Sequence, residues 1–481
     1  MAADPHRTIS PDRRDVLKRV GAAALSLLTP ACGPDRSAPY SRGPEAFDEG
    51  ALRIALRHQL VNSVETFTLL ALRKEDRWAG LRIQEEHTPD WGDYRLSVHD
   101  AREGTLLYRA GFDSNLDSAL RSATTDLSVR LPLPKRRVKA TIEKRRADML
   151  FLDVWSVDID PGSSDIDRTP RAIATRVDSI VANGPPHSKL DIAILGDGYR
   201  EDEHAKFLAD ARRATGYLFS VEPFKKRIGD FNINALFAPS LESGVTDRYL
   251  ALDRKTVFRV AYGTGQAERT LSAHDEQAVR EAACAAPYDF LLVLANARRY
   301  GGSAYFGGPA VVAIDNAAAR YLVLHEFAHA ISGLAEEYYI PADDGPKYAG
   351  NVEPWNPNVT TTADKAKWRA ASPDPLQHLS WNKQEYERYF RSYVARYFGL
   401  RNKRVGERIV EKFMHAESER QAALLAKTAE PRRVGLFEGA NGYAKGMFRS
   451  EIDCIMFSLQ TRHFCRACEM AIEQTIDAHC R

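Results

Sequence analysis

Apolar and polar positions fall into two regimes along this chain. From Ala51 to about Asp160 the apolar residues come in short runs or in alternation, cut by turn residues. Leu52-Arg53-Ile54-Ala55-Leu56, Thr66-Phe67-Thr68-Leu69-Leu70 and Tyr94-Arg95-Leu96-Ser97-Val98 are of this kind. A period of two predicts strands, and several short strands at regular spacing predict a small β-sandwich over 51–160. Pro161-Gly162-Ser163-Ser164 and Gly184-Pro185-Pro186 break the pattern and predict a linker over 161–188. Beyond it the elements alternate. Asp191–Leu195, Phe231–Phe237, Asp289–Ala295 and Pro309–Ile314 read as strands, and Glu201–Phe219 reads as an amphipathic helix. The apolar stretch Tyr321-Leu322-Val323-Leu324 opens a further, buried helix. The predicted fold class is α+β, with the sandwich preceding a larger domain over 189–481.

Composition narrows the class. The 481 residues carry 44% hydrophobic and 27% charged side chains and a net charge of +2. That is ordinary for globular protein and gives no electrostatic footprint for nucleic acid. The basic runs Lys135-Arg136-Arg137 and Lys144-Arg145-Arg146 read as solvated strand faces. The N-terminus reads as an address. Arg13-Arg14-Asp15-Val16-Leu17-Lys18 resembles a twin-arginine export signal, and the apolar run Val20–Leu28 is too short to span a membrane. Thr29-Pro30-Ala31-Cys32 resembles a degraded lipobox. Residues 1–32 are therefore expected to be an export signal, with lipidation at Cys32 left open as the sole membrane contact, and 33–50 a Pro/Gly/Ser tether. The expected location is the periplasm, cell envelope or exterior. Cys454, Cys465, Cys468 and Cys480 crowd the C-terminus. In an oxidising compartment disulfides are the preferred reading; half of a zinc ribbon at Cys465-x-x-Cys468 is the other.

Chemistry concentrates at His325-Glu326-Phe327-Ala328-His329. Residues four apart share a helix face, so both imidazoles can meet one metal ion, with Glu326 placed to reach a water on it. The pattern should arise by chance about 0.02 times in a chain of this composition. Two neutral imidazoles, an open coordination position and a carboxylate base are the requirements of a zinc hydrolase, with one Zn2+ per chain. Gly333 lets the backbone leave the helix at positive φ.

The run resembles the metzincin pattern, with one residue inserted before the glycine. Gly333-x-x-Glu336 keeps the spacing from turn to third ligand, so Glu336 is the expected ligand and Glu337 the fallback. A ligand on a separate downstream helix would instead nominate Glu353. The wider sequence resembles the metallo-type IgA peptidases, a bacterial metzincin-related group. The likeness runs through Leu195-Gly196-Asp197-Gly198-Tyr199, Ser240–Gly244, Tyr300-Gly301-Gly302, His325–Tyr338, Trp355–Thr361, Gly435–Ala440 and Cys454-Ile455-Met456 to Phe464–Cys468. It implies that Met456 is apolar support beneath the metal, not a ligand. It also implies peptide-bond hydrolysis with Glu326 as general base, on a protein or peptide substrate. Tyr443 and Tyr338 are candidates for steadying the oxyanion, and the glycines at 301–302 for the rim of a cleft. Two other functions fit the same sequence: an envelope binding protein on a peptidase scaffold, and a zinc amidase acting on cell-wall peptides. Oligomeric state and substrate preference are not legible.

Overall fold

A computed structural model describes residues 44–62, 64–80, 90–116, 122–170, 173–263, 268–341, 352–427, 430 and 432–480. The export signal and most of the tether lie outside the described residues.

The N-terminal part is two four-stranded sheets facing each other. One holds, in spatial order, Ser122–Pro134, Phe47–Val61, Val64–Glu75 and the short Ile166–Asp167; the other holds Leu106–Phe112, Tyr94–Asp100, Val138–Arg145 and Phe151–Ile159. Leu52, Ile54, Leu56, Leu127, Val129 and Leu131 from the first sheet meet Leu96, Val98, Val138, Ala140 and Ile142 from the second. These residues alternate along their strands, as a sandwich interior requires. The first strand starts at Phe47, so structure begins before the expected end of the tether at residue 50.

The larger part is built on a six-stranded sheet in the order Gly302–Ser303, Ala310–Ala313, Phe290–Ala295, Leu190–Asp197, Phe231–Phe237, Arg176–Val181. The four inner strands are parallel and the two edges antiparallel. Every residue of Leu190–Asp197 is buried, which is why it reads as a continuous apolar run. Arg176–Val181 lies inside the stretch expected to be linker. It is an exposed edge strand, so it carries no clear burial period. Helices His204–Leu218, Ala319–Ser332 and Arg466–His479 pack around the sheet. A helical hairpin, Lys383–Asn402 and Glu407–Ala426, was not anticipated from the sequence.

The motif at the end of the central strand serves the fold. The buried Asp197 carboxylate accepts backbone N–H bonds from Phe258 and Val260 at 2.8 and 2.9 Å. Gly198, at φ +77°, lies so close to Gly244 that a Cβ would sit 2.4 Å from that carbonyl oxygen. Only glycine satisfies both conditions. No helix among the described residues is long and apolar enough to cross a membrane.

Candidate metal centre

The helix Ala319–Ser332 is apolar nearly all round, so it is buried between sheet and C-terminal helix instead of lying on the surface. Its end is fixed twice. Gly333 takes φ +56° and its N–H bonds the His329 carbonyl at 3.0 Å, an αL cap. The Trp355 ring fills the space where a Cβ on Gly333 would be, 2.4 Å away. The chain therefore leaves the helix and folds back across its histidine face.

That return brings three side chains together. His325 Nε2 and His329 Nε2 are 3.2 Å apart, and the two Glu336 carboxylate oxygens stand 3.1 Å from the first and 3.4 Å from the second. Donors about 2.0–2.1 Å from a tetrahedral zinc are separated by roughly 3.3 Å, so each imidazole nitrogen already has ligand spacing to the other and to the carboxylate oxygen that faces it. Both imidazoles are held from behind. His325 Nδ1 donates to the Ile455 carbonyl at 3.1 Å and His329 Nδ1 to the Leu334 carbonyl at 2.5 Å. Those bonds fix the tautomer and turn each Nε2 lone pair to the centre. The Tyr338 hydroxyl donates to Glu336 at 2.7 Å and Tyr321 stacks on His325.

The electrostatics agree with the geometry. Burial alone would raise the Glu336 carboxyl, but the two imidazoles hold it well below the ordinary carboxylate range. Against its own burial, His329 is pushed up to about 9 by Glu336. Burial raises Glu326, while His325 and His329 act the other way. Glu326 packs under the edge strand: a Cβ on Gly302 would lie 2.8 Å from its Oε1. The glycine at 302 thus makes room for Glu326.

The other expected residues fall as follows. Glu337 is fully buried and faces the opposite way from Glu336, as neighbours on an extended segment do. It points to the cysteines, so the fallback ligand is not beside the histidines. Glu353 is also elsewhere: it accepts from Thr361 N and Oγ1 at 2.9 and 2.7 Å and pairs with Lys367. Met456 is fully buried, and its carbonyl accepts the Glu337 N–H at 3.0 Å. Tyr443 packs with Ala335, Ala440 and Met447, just after the turn in which Asn441 N–H bonds the Glu336 carbonyl. The Tyr338 hydroxyl is engaged with Glu336, which makes it an orienting group for that carboxylate.

The roles of two groups of residues escaped the sequence reading. Asn356 and Asn358 clamp the return segment: Asn356 Nδ2 donates to the Gly333 carbonyl at 2.7 Å, and Asn358 bonds both N–H and C=O of Ala335 at 2.8 and 2.9 Å. An Asn-Pro-Asn in a loop signals polar clamping, but the side-chain partners require the fold. Arg269, half-buried, places a positive charge near Tyr338, Tyr300 and Glu326; nothing in its sequence neighbourhood signals this.

The expected disulfides are not formed. Cys454, Cys465, Cys468 and Cys480 are all free. The Cys465 and Cys468 sulfurs stand 3.3 Å apart and those of Cys454 and Cys468 3.8 Å, against about 2.05 Å for a bond. Cys480 lies at the far end of its helix, where its thiol meets the Asp230 carbonyl.

Comparison with known proteins adds the family. The model of the IgA Peptidase M64 family matches residues 179–476, and that of the Peptidase M64 N-terminus matches residues 44–156. No curated protein matches the chain. The first match alone covers more than half of the sequence and contains the histidine helix, the returning glutamate and the cysteine segment. The chain belongs to the IgA peptidase M64 family, as a peptidase domain preceded by that family's N-terminal domain.

Proposed function

We propose that this peptidase is a zinc-dependent endopeptidase with a metzincin-like catalytic domain. The observation that carries the reading is the convergence of His325 Nε2, His329 Nε2 and the Glu336 carboxylate at ligand spacing, beside a half-buried Glu326 seated under Gly302. These three residues would hold the zinc, which supplies Lewis-acid polarisation and acidifies water. A divalent cation also supplies the positive charge that Glu336 otherwise draws from the imidazoles. Glu326 takes the proton from the attacking water and returns it to the leaving amine; burial raises its affinity for that proton. The Ile455 and Leu334 carbonyls accept from Nδ1 of the two imidazoles and so aim each Nε2 at the metal position, and Tyr338 orients Glu336. Met456 and its neighbours form the floor.

The proposal extends to the setting. Residues 1–32 direct export, Cys32 is the candidate lipid anchor, and the N-terminal sandwich is an accessory domain. Substrates are proteins or peptides.

The test uses full-length wild type and Glu326→Gln, with zinc measured per chain and cleavage scored on a peptide library. The wild type should cleave, and the variant should lose at least about 100-fold while keeping its metal. Equal activity in both would remove Glu326 from the reaction. Turnover of cell-wall fragments without peptide cleavage would favour an amidase.

A further inference from the structure

Behind the histidine site lies a second cluster of metal-ligand type. Cys454, Cys465 and Cys468 converge with Glu337, all four within 4.8 Å of one another and all fully buried. Cys465 Sγ and Cys468 Sγ stand 3.1 and 3.2 Å from Glu337 Oε1. Tetrahedral zinc with Zn–S near 2.3 Å separates its sulfurs by roughly 3.8 Å, close to the 3.3 and 3.8 Å found here. The backbone is arranged for a thiolate: Cys454 Sγ accepts N–H bonds from Cys465 at 3.1 Å and Met456 at 3.4 Å.

Two further observations point to a bound cation. Glu337 Oε2 is buried without any hydrogen-bond partner. Its Oε1 takes an amide N–H from Asn358 at 3.1 Å, but among the described residues no cationic side chain hydrogen-bonds Glu337. The nearby Arg449 instead donates to the Gly439 and Ile452 carbonyls and lies over the Phe457 ring. A dry carboxyl with an unsatisfied oxygen beside three thiols is costly unless a cation gathers them.

We infer that Cys454, Cys465, Cys468 and Glu337 hold a second, structural zinc ion. Sulfur ligands and a closed four-residue set suit structural zinc, whereas the histidine site has three protein ligands and an open position. Binding displaces the thiol protons to solvent and changes no oxidation state. The ion ties three segments to one point: the Glu336-Glu337 return, the Cys454–Met456 turn under His325, and the start of the C-terminal helix. Neighbouring residues on the return then serve different metals, Glu336 the catalytic one and Glu337 the structural one.

The experiment is a metal count on full-length protein purified in zinc without chelator. Wild type should carry two zinc ions per chain, and His325→Ala/His329→Ala should retain one. In that variant, cobalt replacement should give a near-ultraviolet sulfur-to-cobalt charge-transfer band, and three thiols should resist iodoacetamide until a chelator is added. Cys465→Ser/Cys468→Ser should lose the same ion; if it does not fold, the histidine variant decides alone. A metal-free histidine variant, free alkylation of the three thiols, or a Cys465–Cys468 disulfide by intact mass would overturn the inference. Absence of peptide cleavage by the wild type would count against the catalytic reading and leave this one standing.

Discussion

At the scale of single residues, the site is a set of short side chains whose backs are fixed. Tyr338 does this for Glu336 through one 2.7 Å bond. Tyr338→Phe should keep the fold and weaken metal affinity at the histidine site about 10-fold, as losing a bond behind a ligand does, and a competitive chelator titration would read it. Gly302 acts by absence. Gly302→Ala places a methyl 2.8 Å from Glu326 Oε1 and must displace that carboxylate. Cleavage should fall by 10-fold or more with zinc content unchanged, and a variant as active as wild type would show that Glu326 has slack. The grouping of His325, Glu326 and His329 was legible because it is local: four residues apart on a helix needs no tertiary knowledge. Glu336 over Glu337 rested on the glycine turn, which the structure shows as an αL cap. Arg269 was not legible, because the groups it faces, Tyr300 and Tyr338 among them, lie far away in sequence.

At the scale of elements, burial decided what could be read. The inner parallel strands are buried on both faces and announced themselves as apolar runs. The edge strand Arg176–Val181 is half in water and read as linker. The hairpin of Lys383–Asn402 and Glu407–Ala426 did leave a signal, since Tyr386, Tyr389, Phe390, Tyr393 and Tyr397 recur at spacings of three and four and Tyr393 stacks on Phe413. Dense charge between those aromatics masked it. The central strand also carries a pH dependence. Burial, then the neighbouring Asp289, raises the Asp191 carboxyl to about 8. The folded protein therefore holds a proton at pH 6–7 that the unfolded chain, with an ordinary Asp near 3.9, has released. Unfolding releases that proton, so this group's contribution to stability falls as pH rises from about 4 to about 8. Asp191→Asn should raise the melting temperature by a few degrees at pH 8.5 and much less at pH 4.5. An equal shift at both would contradict this account.

At the scale of the whole molecule, the sandwich and the peptidase part meet through buried charge. Arg53 alternates with the core residues Leu52 and Ile54, so it faces outward from the sandwich, yet it is only 3% exposed. It bonds Glu75 within its own sheet at 2.8 Å and reaches Gln277 and Glu281 on the helix Glu276–Ala283 at 2.5 and 3.2 Å. Arg73 reaches the same Glu281, and Arg130 donates to the Tyr288 carbonyl. Arg53→Ala would leave Glu75 with Arg130 and Glu281 with Arg73 as their remaining arginine partners. It should cost about 1.5–3 kcal/mol, read by denaturant unfolding, with histidine-site metal binding unchanged in the folded protein. A cost below about 1 kcal/mol would mean the contact is wet.

That interface also bears on ancestry. Arg53, Arg73 and Arg130 sit on strands more than a hundred residues before their partners across the seam, Gln277, Glu281 and the Tyr288 carbonyl. A recombination event joining this peptidase part to a foreign leading domain would strand Glu281 and expose the helix that carries it. The two parts should descend together, with changes on one side of the seam answered on the other.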